Sequence, residues 1–334
     1  MFEGKCYIVA EIGGNFTDLN TAKQLIDAAK RSGVDAVKLQ TFRAETLSVE
    51  GAMFDMEATG KISQYEYFKK YELDENMHKE LFAYAIDEGL EIFSSPSHYT
   101  DVELLEKMGV STYKIGADDL TNLPMIRRIA DLQKPIMLST GMATMKEIHD
   151  AVDAILERGN DRVIIMHVVS LYPTAPEYVN LEAIHSLQRE FPDFMIGYSD
   201  HTMNVNACIF AAVMGAKVVE KHFTYDKKAE GPDHMHSATE SEMKYMVDMI
   251  RQYESMRGNG VKKPVGDEIK NRRNNRKSLV YSSDLEEGHI LADEDIEVKR
   301  PGTGMMPDQR NMLIGKRLGH HVAKDALISV RDFV

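Results

Sequence analysis

Eight short apolar runs, each of strand length, follow one another along the first 222 residues of the chain. They are CYIVAE, DAVKLQ, LEIFSS, STYKIG, PIMLST, VIIMH, FMIGYS and AKVVEK. Most are separated by segments such as NTAKQLIDAAKRSG and DVELLEKMG, in which apolar residues recur every three or four positions, as on the buried face of a helix. Strand and helix therefore alternate, which predicts an α/β protein built on a parallel sheet.

Glycines mark where the predicted helices end. Gly33, Gly89, Gly109 and Gly215 each stand shortly before a strand, as a glycine just beyond a helix does, and Gly159 fits the same role. Eight strand–helix units are enough to close a barrel, and no GxGxxG run follows the first strand. We therefore predict a (β/α)8 TIM barrel rather than an open, doubly wound sheet.

The pattern changes after residue 261. Residues 262–278 are rich in basic residues, asparagine, glycine and proline, which is typical of a linker. Residues 279–334 hold short runs such as SLVYS, IEVKR and HHVAK with turn residues between them, which predicts a small β-rich domain. The sequence thus predicts a barrel domain of residues 1–261, a linker and a C-terminal module.

Composition and charge narrow the class of protein. No run approaches the roughly 18 apolar residues of a membrane span, and the N-terminal MFEGKCYIVAEIGG does not resemble a signal peptide, so we expect a cytoplasmic protein. Cys6 and Cys208 are too few for a disulfide scaffold. Residues 1–261 hold 26 Lys+Arg against 41 Asp+Glu, which argues against nucleic acid or membrane as a partner. An anionic ligand would need a local basic pocket.

Polar side chains stand at the C-terminal end of every predicted strand. They are Glu11, Lys38 and Gln40, Ser95, Lys114, Ser139, His167, Ser199 with Asp200 and His201, and Glu220 with His222. In a barrel these ends converge on one face, where barrel enzymes carry out their chemistry. The sequence therefore predicts a functional site there, rather than strand ends that merely meet solvent.

The residue types suggest two kinds of binding. Lys38 and Lys114 are suited to a phosphate or carboxylate, helped by the hydroxyls of Ser95 and Ser139.

Metal binding is the second possibility. His201 and His222 end neighbouring strands and could share a divalent metal, with Glu11 as an oxygen ligand or acid–base group, although spacing alone leaves this open.

Two loops add to the predicted site. In the loop GPDHMHS, Asp233 is a candidate to bind substrate hydroxyls, whereas we interpret His234 and His236 as loop histidines rather than ligands. The long second loop, from Phe42 to about Tyr71, is predicted to be a lid or a dimer contact.

Ten short motifs, taken in order, cover nearly the whole chain: VAEIGGN, VKLQTF, SSPS, YKIG, LSTGM, LYPT, GYSDHT, EKHFT, GPDH and VKRPGTG. Together they resemble the sialic acid synthase family, which includes legionaminic and pseudaminic acid synthases. The resemblance implies a transferase that condenses phosphoenolpyruvate with N-acetylmannosamine or a related N-acyl amino sugar and water, giving a nine-carbon 2-keto-3-deoxy sugar acid and phosphate. It also implies an antifreeze-like (SAF) C-terminal domain, a divalent metal, Mn²⁺ or Mg²⁺, and a domain-swapped homodimer.

The resemblance also assigns roles residue by residue. It implies that phosphoenolpyruvate is held by Lys38, Ser95, Lys114, Ser139 and Ser199. It implies that the metal is held by His201 and His222, and that the sugar or its aldehyde is contacted by Glu11, Gln40, Tyr172 and Asp233. Arg300 resembles an arginine that the partner's C-terminal domain places over the site. The catalytic candidates are Glu11, Asp119 and Asp233, with Glu11 or Asp119 assisting as base when water adds.

Four positions depart from the usual motifs. Phe16 and Ala117 replace a histidine and a serine, Asp119 replaces a glutamate, and Ser170 replaces an asparagine of the phosphoenolpyruvate pocket. These changes affect the predicted sugar more than the predicted reaction. N-acetylmannosamine is therefore our first acceptor, and a 2,4-diacetamido-trideoxy hexose leading to legionaminate or pseudaminate is the alternative.

Two other classes of function remain. Lys114 or Lys38 could form an imine with pyruvate, as in a metal-independent Schiff-base aldolase. The chain could also be a non-catalytic carbohydrate-binding protein with the barrel as a scaffold. A scaffold, however, does not explain lysines, histidines and acids at the ends of the strands.

Overall fold

The computed structural model describes residues 4–56 and 60–334, which form two compact units. The first unit ends at Gly258 and the second runs from Asn259 to Val334. The first three residues of the N-terminal run lie outside the described part of the chain. Within that part, no helix is both long and apolar enough to cross a bilayer.

Ten strands form in the described part of the first unit. They are β1 (Tyr7–Glu11), β2 (Ala36–Thr41), β3 (Met53–Met56), β4 (Gly60–Ser63), β5 (Glu91–Pro96), β6 (Tyr113–Ile115), β7 (Ile136–Ser139), β8 (Val163–Val168), β9 (Met195–Asp200) and β10 (Val218–His222). All except β3 and β4 are parallel and close into a barrel in the order β1-β10-β9-β8-β7-β6-β5-β2. The eight predicted runs are therefore the eight barrel strands, and the TIM-barrel prediction is confirmed.

Helices alternate with the barrel strands along the first unit, and two short ones lie in an insertion after β2. They are α1 (Leu19–Ser32), α2 (Ala44–Leu47), α3 (Gln64–Tyr71), α4 (Glu75–Asp87), α5 (Tyr99–Met108), α6 (Leu123–Ala130), α7 (Met145–Leu156), α8 (Glu182–Glu190), α9 (Asn206–Val213) and α10 (Glu240–Met256).

Helix α1 shows how the sequence sets these bounds. The Asp18 side chain accepts a hydrogen bond from the Thr21 amide at 3.0 Å, which caps the first turn. Gly33 ends the helix at φ 81°, a left-handed conformation that favours glycine. The face between these caps is buried through Ala22, Leu25, Ile26 and Ala29. The other glycines of the predicted series also have positive φ, so they end helices as expected.

The long segment after β2 is an ordered insertion. It contains α2, the antiparallel hairpin of β3 and β4, and α3. The Phe68 ring meets the Phe42 and Phe54 rings edge to face, with centroids 5.2 and 5.4 Å apart, so the insertion has a small aromatic core of its own. Residues 57–59 lie outside the described residues, and the lid or dimer-contact role stays a prediction.

The second unit is small and rich in strands and turns. It holds α11 (Glu268–Asn275), which is exposed and lies within the segment predicted as a linker, and the antiparallel pair β11 (Ser278–Tyr281) and β12 (Ile296–Lys299). Its separate apolar core includes Leu279, Tyr281, Leu291, Ile296, Leu313 and Leu318.

Candidate active site

Four charged side chains meet inside the barrel near the C-terminal ends of its strands. This charge quartet consists of Glu11, Lys38, Lys114 and Glu220, and none of the four is more than 4% exposed. Lys38 forms an ion pair with Glu11 and lies 3.8 Å from Glu220 Oε1. Lys114 donates to both carboxylate oxygens of Glu220 at 3.0 Å. Two positive and two negative groups thus form a buried cluster with no net charge.

The quartet fixes the charge states of its members. Burial alone would raise the pKa of Glu220, but the ammonium groups of Lys114 and Lys38 lower it to about 2. Burial alone would also lower the pKa of Lys38, yet the carboxylates of Glu11 and Glu220 raise it above its ordinary value. Burial lowers the pKa of Lys114 despite its bond to Glu220. At neutral pH Glu220 is therefore an ionised carboxylate held between the two lysines.

Neutral polar groups surround the quartet. Lys38 donates to Ser95 Oγ at 3.4 Å, and the Ser199 hydroxyl donates to Glu220 Oε1 at 3.1 Å. The Gln40 amide approaches Glu11 Oε1 at 3.4 Å. The predicted anion-binding lysines and two of the predicted serines therefore lie together, and their contacts to phosphoenolpyruvate stay predictions.

Three imidazoles lie next to the quartet. The ring centroids of His201 and His222 are 5.3 Å apart, and His236 lies 5.0 Å from His222 and 6.0 Å from His201. The Tyr172 ring packs against His201 at 4.1 Å. The Nδ1–H of His201 donates to the Val169 carbonyl at 2.8 Å, so its Nε2 carries the free lone pair. We call His201, His222 and His236 the imidazole cluster.

Asp233 joins this cluster from the loop after β10. Its Oδ2 lies 3.2 Å from His222 Nδ1, and its Oδ1 lies 3.7 Å from His236 Nε2. Burial would raise the pKa of Asp233, but the neighbouring histidines, His222 first, lower it to about 2.

The imidazoles themselves have shifted pKa values. Burial, reinforced by His222, lowers the pKa of His201 to about 3 and that of His236 to about 2. Burial would lower the pKa of His222 as well, but the Asp233 carboxylate raises it above its ordinary value. Carboxylates and imidazoles are donor groups that bind divalent metals. Donor atoms of His222, Asp233 and His236 all lie within 4.8 Å of one another.

The remaining predicted residues have different surroundings. Ser139 ends β7 and is buried. Asp119 lies on a short 3-10 turn, where the Asn122 amide donates to its carboxylate at 3.0 Å, and burial raises its pKa to about 6. Arg300 is exposed and belongs to the second unit. Its predicted contact with the sugar stays a prediction.

Two of the departures from the family motifs meet at one glycine. A Cβ on Gly141 would lie 2.2 Å from Ser170 Oγ and 3.0 Å from the Ala117 Cβ. Ala117 and Ser170, where the resemblance implies a serine and an asparagine, therefore lie close to each other. Phe16, by contrast, is buried in the apolar core of the barrel.

Sequence reasoning missed two members of the site. Glu220 was noted at its strand end but received no role, although its alternation with His222 places both on one face. His236 was interpreted as a loop histidine, but its side chain is fully buried and belongs to the imidazole cluster. Its neighbour His234 fits that interpretation better, because its Nδ1 is hydrogen-bonded to the Thr224 hydroxyl at 2.6 Å.

Both units of the chain match known protein families. Residues 25–262 match the NeuB family, and residues 276–334 match the SAF domain. The chain belongs to the NeuB family. It is 39% identical to the N,N'-diacetyllegionaminic acid synthase of Legionella pneumophila, over 95% of this chain and 92% of that protein. It is 38% identical to the Campylobacter jejuni enzyme of the same name, over 97% of this chain and 99% of that one.

A solved structure extends the comparison. The N-acetylneuraminic acid (sialic acid) synthetase of Leptospira borgpetersenii superposes with a TM-score of 0.72 at 28% identity, covering 80% of this chain and 90% of that one. The resemblance found in the motifs is therefore confirmed, as is the SAF domain. Because the relatives are synthases, the chain is an enzyme of the transferase class. This membership favours the synthase hypothesis over a Schiff-base aldolase or a binding scaffold.

Proposed function

We propose that this protein condenses phosphoenolpyruvate with a 2,4-diacetamido-trideoxy hexose and water to give N,N'-diacetyllegionaminate and phosphate, with a divalent metal. The names of the two relatives at 39% and 38% identity support this acceptor. N-acetylmannosamine, our first expectation, becomes the alternative, since the sialic acid synthetase of known structure is 28% identical. Pseudaminate is a further alternative product.

The charge quartet beside the imidazole cluster is the observation that carries the proposal. Phosphoenolpyruvate brings a phosphate and a carboxylate, and Lys38 and Lys114 offer ammonium donors for both. Ser95 and Ser199 already contact the quartet and add hydroxyl donors. Since Glu11 and Glu220 balance the lysines, the site can remain buried without an unpaired charge.

The residues of the imidazole cluster fit a divalent metal. Both ring nitrogens of His236 have no hydrogen-bond partner among the described residues, although these atoms are buried. His201 and His222 are the ligands that the family resemblance implies. When bound, a divalent cation would polarise the aldehyde oxygen of the acceptor as a Lewis acid.

The protein's own residues serve the remaining chemistry. Carbon 3 of phosphoenolpyruvate forms a bond to the aldehyde carbon, water adds at carbon 2, and phosphate leaves with its bridging oxygen. Asp119 is ionised at neutral pH, because its pKa is about 6, and is suited to accept the proton of that water. Glu11 is the alternative base. Lys38 and Lys114 would stabilise the negative charge on the leaving phosphate.

The assembly and location belong to the same proposal. A domain-swapped homodimer would bring Arg300 of one chain to the acyl group of the sugar in the other, in the cytoplasm.

The test measures phosphate release from phosphoenolpyruvate with a panel of acceptors. The panel contains N-acetylmannosamine, the 2,4-diacetamido-trideoxy hexoses that lead to legionaminate and pseudaminate, and mannose, each with Mn²⁺ or with EDTA. We expect metal-dependent release with the legionaminate precursor. Release with N-acetylmannosamine alone would show that the product is sialic acid instead of N,N'-diacetyllegionaminate. No release with any acceptor, together with borohydride trapping of pyruvate on a lysine, would overturn the synthase assignment.

A further inference from the structure

The loop that follows β10 brings a histidine back beside the end of its own strand. The Ala238 amide donates to the His222 carbonyl at 2.7 Å, and the Thr224 amide donates to the Ala238 carbonyl at 2.9 Å. The Ser237 hydroxyl donates to the Asp233 carbonyl at 2.5 Å and accepts from the Asn15 amide at 2.9 Å. The backbone on both sides of His236 is therefore tied to the strand that carries His222.

The His236 side chain is buried without hydrogen bonds. It has 0% exposure, and neither ring nitrogen has a hydrogen-bond partner among residues 4–56 and 60–334. A neutral imidazole carries one donor and one acceptor, and burying either group without a partner is unfavourable. A buried polar group left without a partner in a folded protein calls for an explanation, and one explanation is an ion.

Other buried histidines of the barrel do not show this feature. His167 is hydrogen-bonded to the Val179 carbonyl at 2.9 Å, and His78 to the Thr41 hydroxyl at 2.9 Å. His234, two residues before His236, is bonded to Thr224. Burial of a histidine in this fold therefore normally comes with a partner, and His236 departs from that rule.

The neighbours of His236 are the groups that a metal ligand would need. Its donor atoms and those of His222 and Asp233 lie within 4.8 Å of one another. Donors bound to one cation at about 2.1 Å are at most about 4.2 Å apart, so small side-chain adjustments would bring all three onto one ion. The carboxylate would also offset part of the charge of a dication.

We propose that His236 is a ligand of the divalent metal, together with His222 and the Asp233 carboxylate. This inference rests on the proposed function and adds a third imidazole to the two that the family resemblance implies. Two imidazole nitrogens and one carboxylate oxygen suit a transition-metal ion better than Mg²⁺, which prefers oxygen ligands. The metal of this enzyme is therefore a transition-metal ion rather than Mg²⁺.

The experiment compares metal binding in wild type, His236→Leu and His234→Gln after chelator treatment. Mn²⁺ affinity is measured from the loss of the free-ion EPR signal, and Co²⁺ binding from its visible absorption. We expect His236→Leu to lower Mn²⁺ affinity at least about tenfold, as loss of a supporting metal-site group does, and to change the Co²⁺ spectrum. His234→Gln, the matched control in the same loop, should keep wild-type affinity.

Thermal unfolding adds a second measurement. Without metal, His236→Leu should be at least as stable as wild type, because it removes two unpaired polar atoms. Added Mn²⁺ should raise the wild-type melting temperature and leave that of the variant nearly unchanged. Should His236→Leu not fold, His236→Asn takes its place in both measurements.

The outcomes separate this inference from the proposed function. Wild-type Mn²⁺ affinity in a folded His236 variant would overturn His236 as a ligand, even where the wild-type enzyme shows metal-dependent phosphate release. Phosphate release that persists in EDTA would instead remove the metal from the proposed function. Equal activation by Mg²⁺ and Mn²⁺ at equal occupancy would contradict the preference for a transition metal.

Discussion

Glu220 and Lys221 are neighbours on β10 and both are buried ions, yet they belong to two different networks. Side chains alternate along a strand, so Glu220 joins the charge quartet inside the barrel while Lys221 faces the helices outside it. Lys221 is 0% exposed and donates to Asp200 Oδ2 at 2.6 Å and to the Thr202 carbonyl. We call Lys221 and Asp200 the outer pair.

The buried groups of the outer pair all have hydrogen-bond partners, whereas, within the described part of the chain, some buried groups of the inner site do not. Asp200 also accepts hydrogen bonds from the Tyr198 hydroxyl at 2.8 Å and from the amide and hydroxyl of Thr202. On the inner side, Ser170 Oγ and both His236 nitrogens have no hydrogen-bond partner among the described residues. Buried charge alone therefore does not mark a functional residue. The two networks differ in whether other groups of the protein satisfy the hydrogen-bonding atoms of the buried side chains.

Removing Lys221 should produce the largest effect on folding. Lys221→Met leaves the Asp200 carboxylate buried without its cation, and breaking a buried ion pair in this way costs about 3–5 kcal/mol. The free energy of unfolding from urea titration checks this. Lys221→Met/Asp200→Asn, which removes both charges, should recover part of the loss. A loss below about 1 kcal/mol would show that the outer pair is no more than a surface-type ion pair.

Removing Lys114 should affect catalysis more than folding. Lys114→Met leaves Glu220 with Lys38 at 3.8 Å and Ser199 at 3.1 Å, so we expect a smaller stability loss, of about 1–3 kcal/mol. Because the lost ammonium is predicted to bind phosphoenolpyruvate, kcat/KM should fall about 10²–10³-fold.

Steady-state kinetics and urea titration on the same Lys114→Met preparation separate the two effects. The functional difference between the two networks would be contradicted if Lys114→Met lost as much stability as Lys221→Met and kept its activity. That difference would also be contradicted if Lys221→Met, at a temperature where it is folded, lost activity as completely as Lys114→Met.

The barrel could be predicted from sequence because its signals are local. Each strand is a short apolar run, and glycines such as Gly33 end the helices between them. The convergence of polar strand ends follows from the same topology. Because side chains alternate along a strand, Glu220 points into the barrel and Asp200 points out of it. The prediction from sequence nevertheless placed Asp200 with the polar residues that converge on the site.

The rest of the site depends on contacts between distant parts of the chain. His236 reaches His222 because Ala238 bonds back to the strand, and no local pattern encodes that return. Ser170 and Ala117 meet at Gly141 although they follow different strands. The aromatic packing of Phe68 on Phe42 and Phe54 likewise joins residues that are separated in sequence.

Asp119 belongs to neither network. Its pH dependence shows whether the quartet only binds the substrate or also takes part in proton transfer. Burial raises its pKa to about 6, and its hydrogen-bond donor is the neutral amide of Asn122. A base must be ionised, so kcat/KM should rise as pH increases through about 6 and level off above it. Asp119→Asn should abolish this rise and lower the plateau about 10²-fold. Kinetics from about pH 5 to about pH 8 would check both. If the rise persists in Asp119→Asn, the titrating base is another group, with Glu11 the first candidate, and the quartet then takes part in proton transfer as well as in binding.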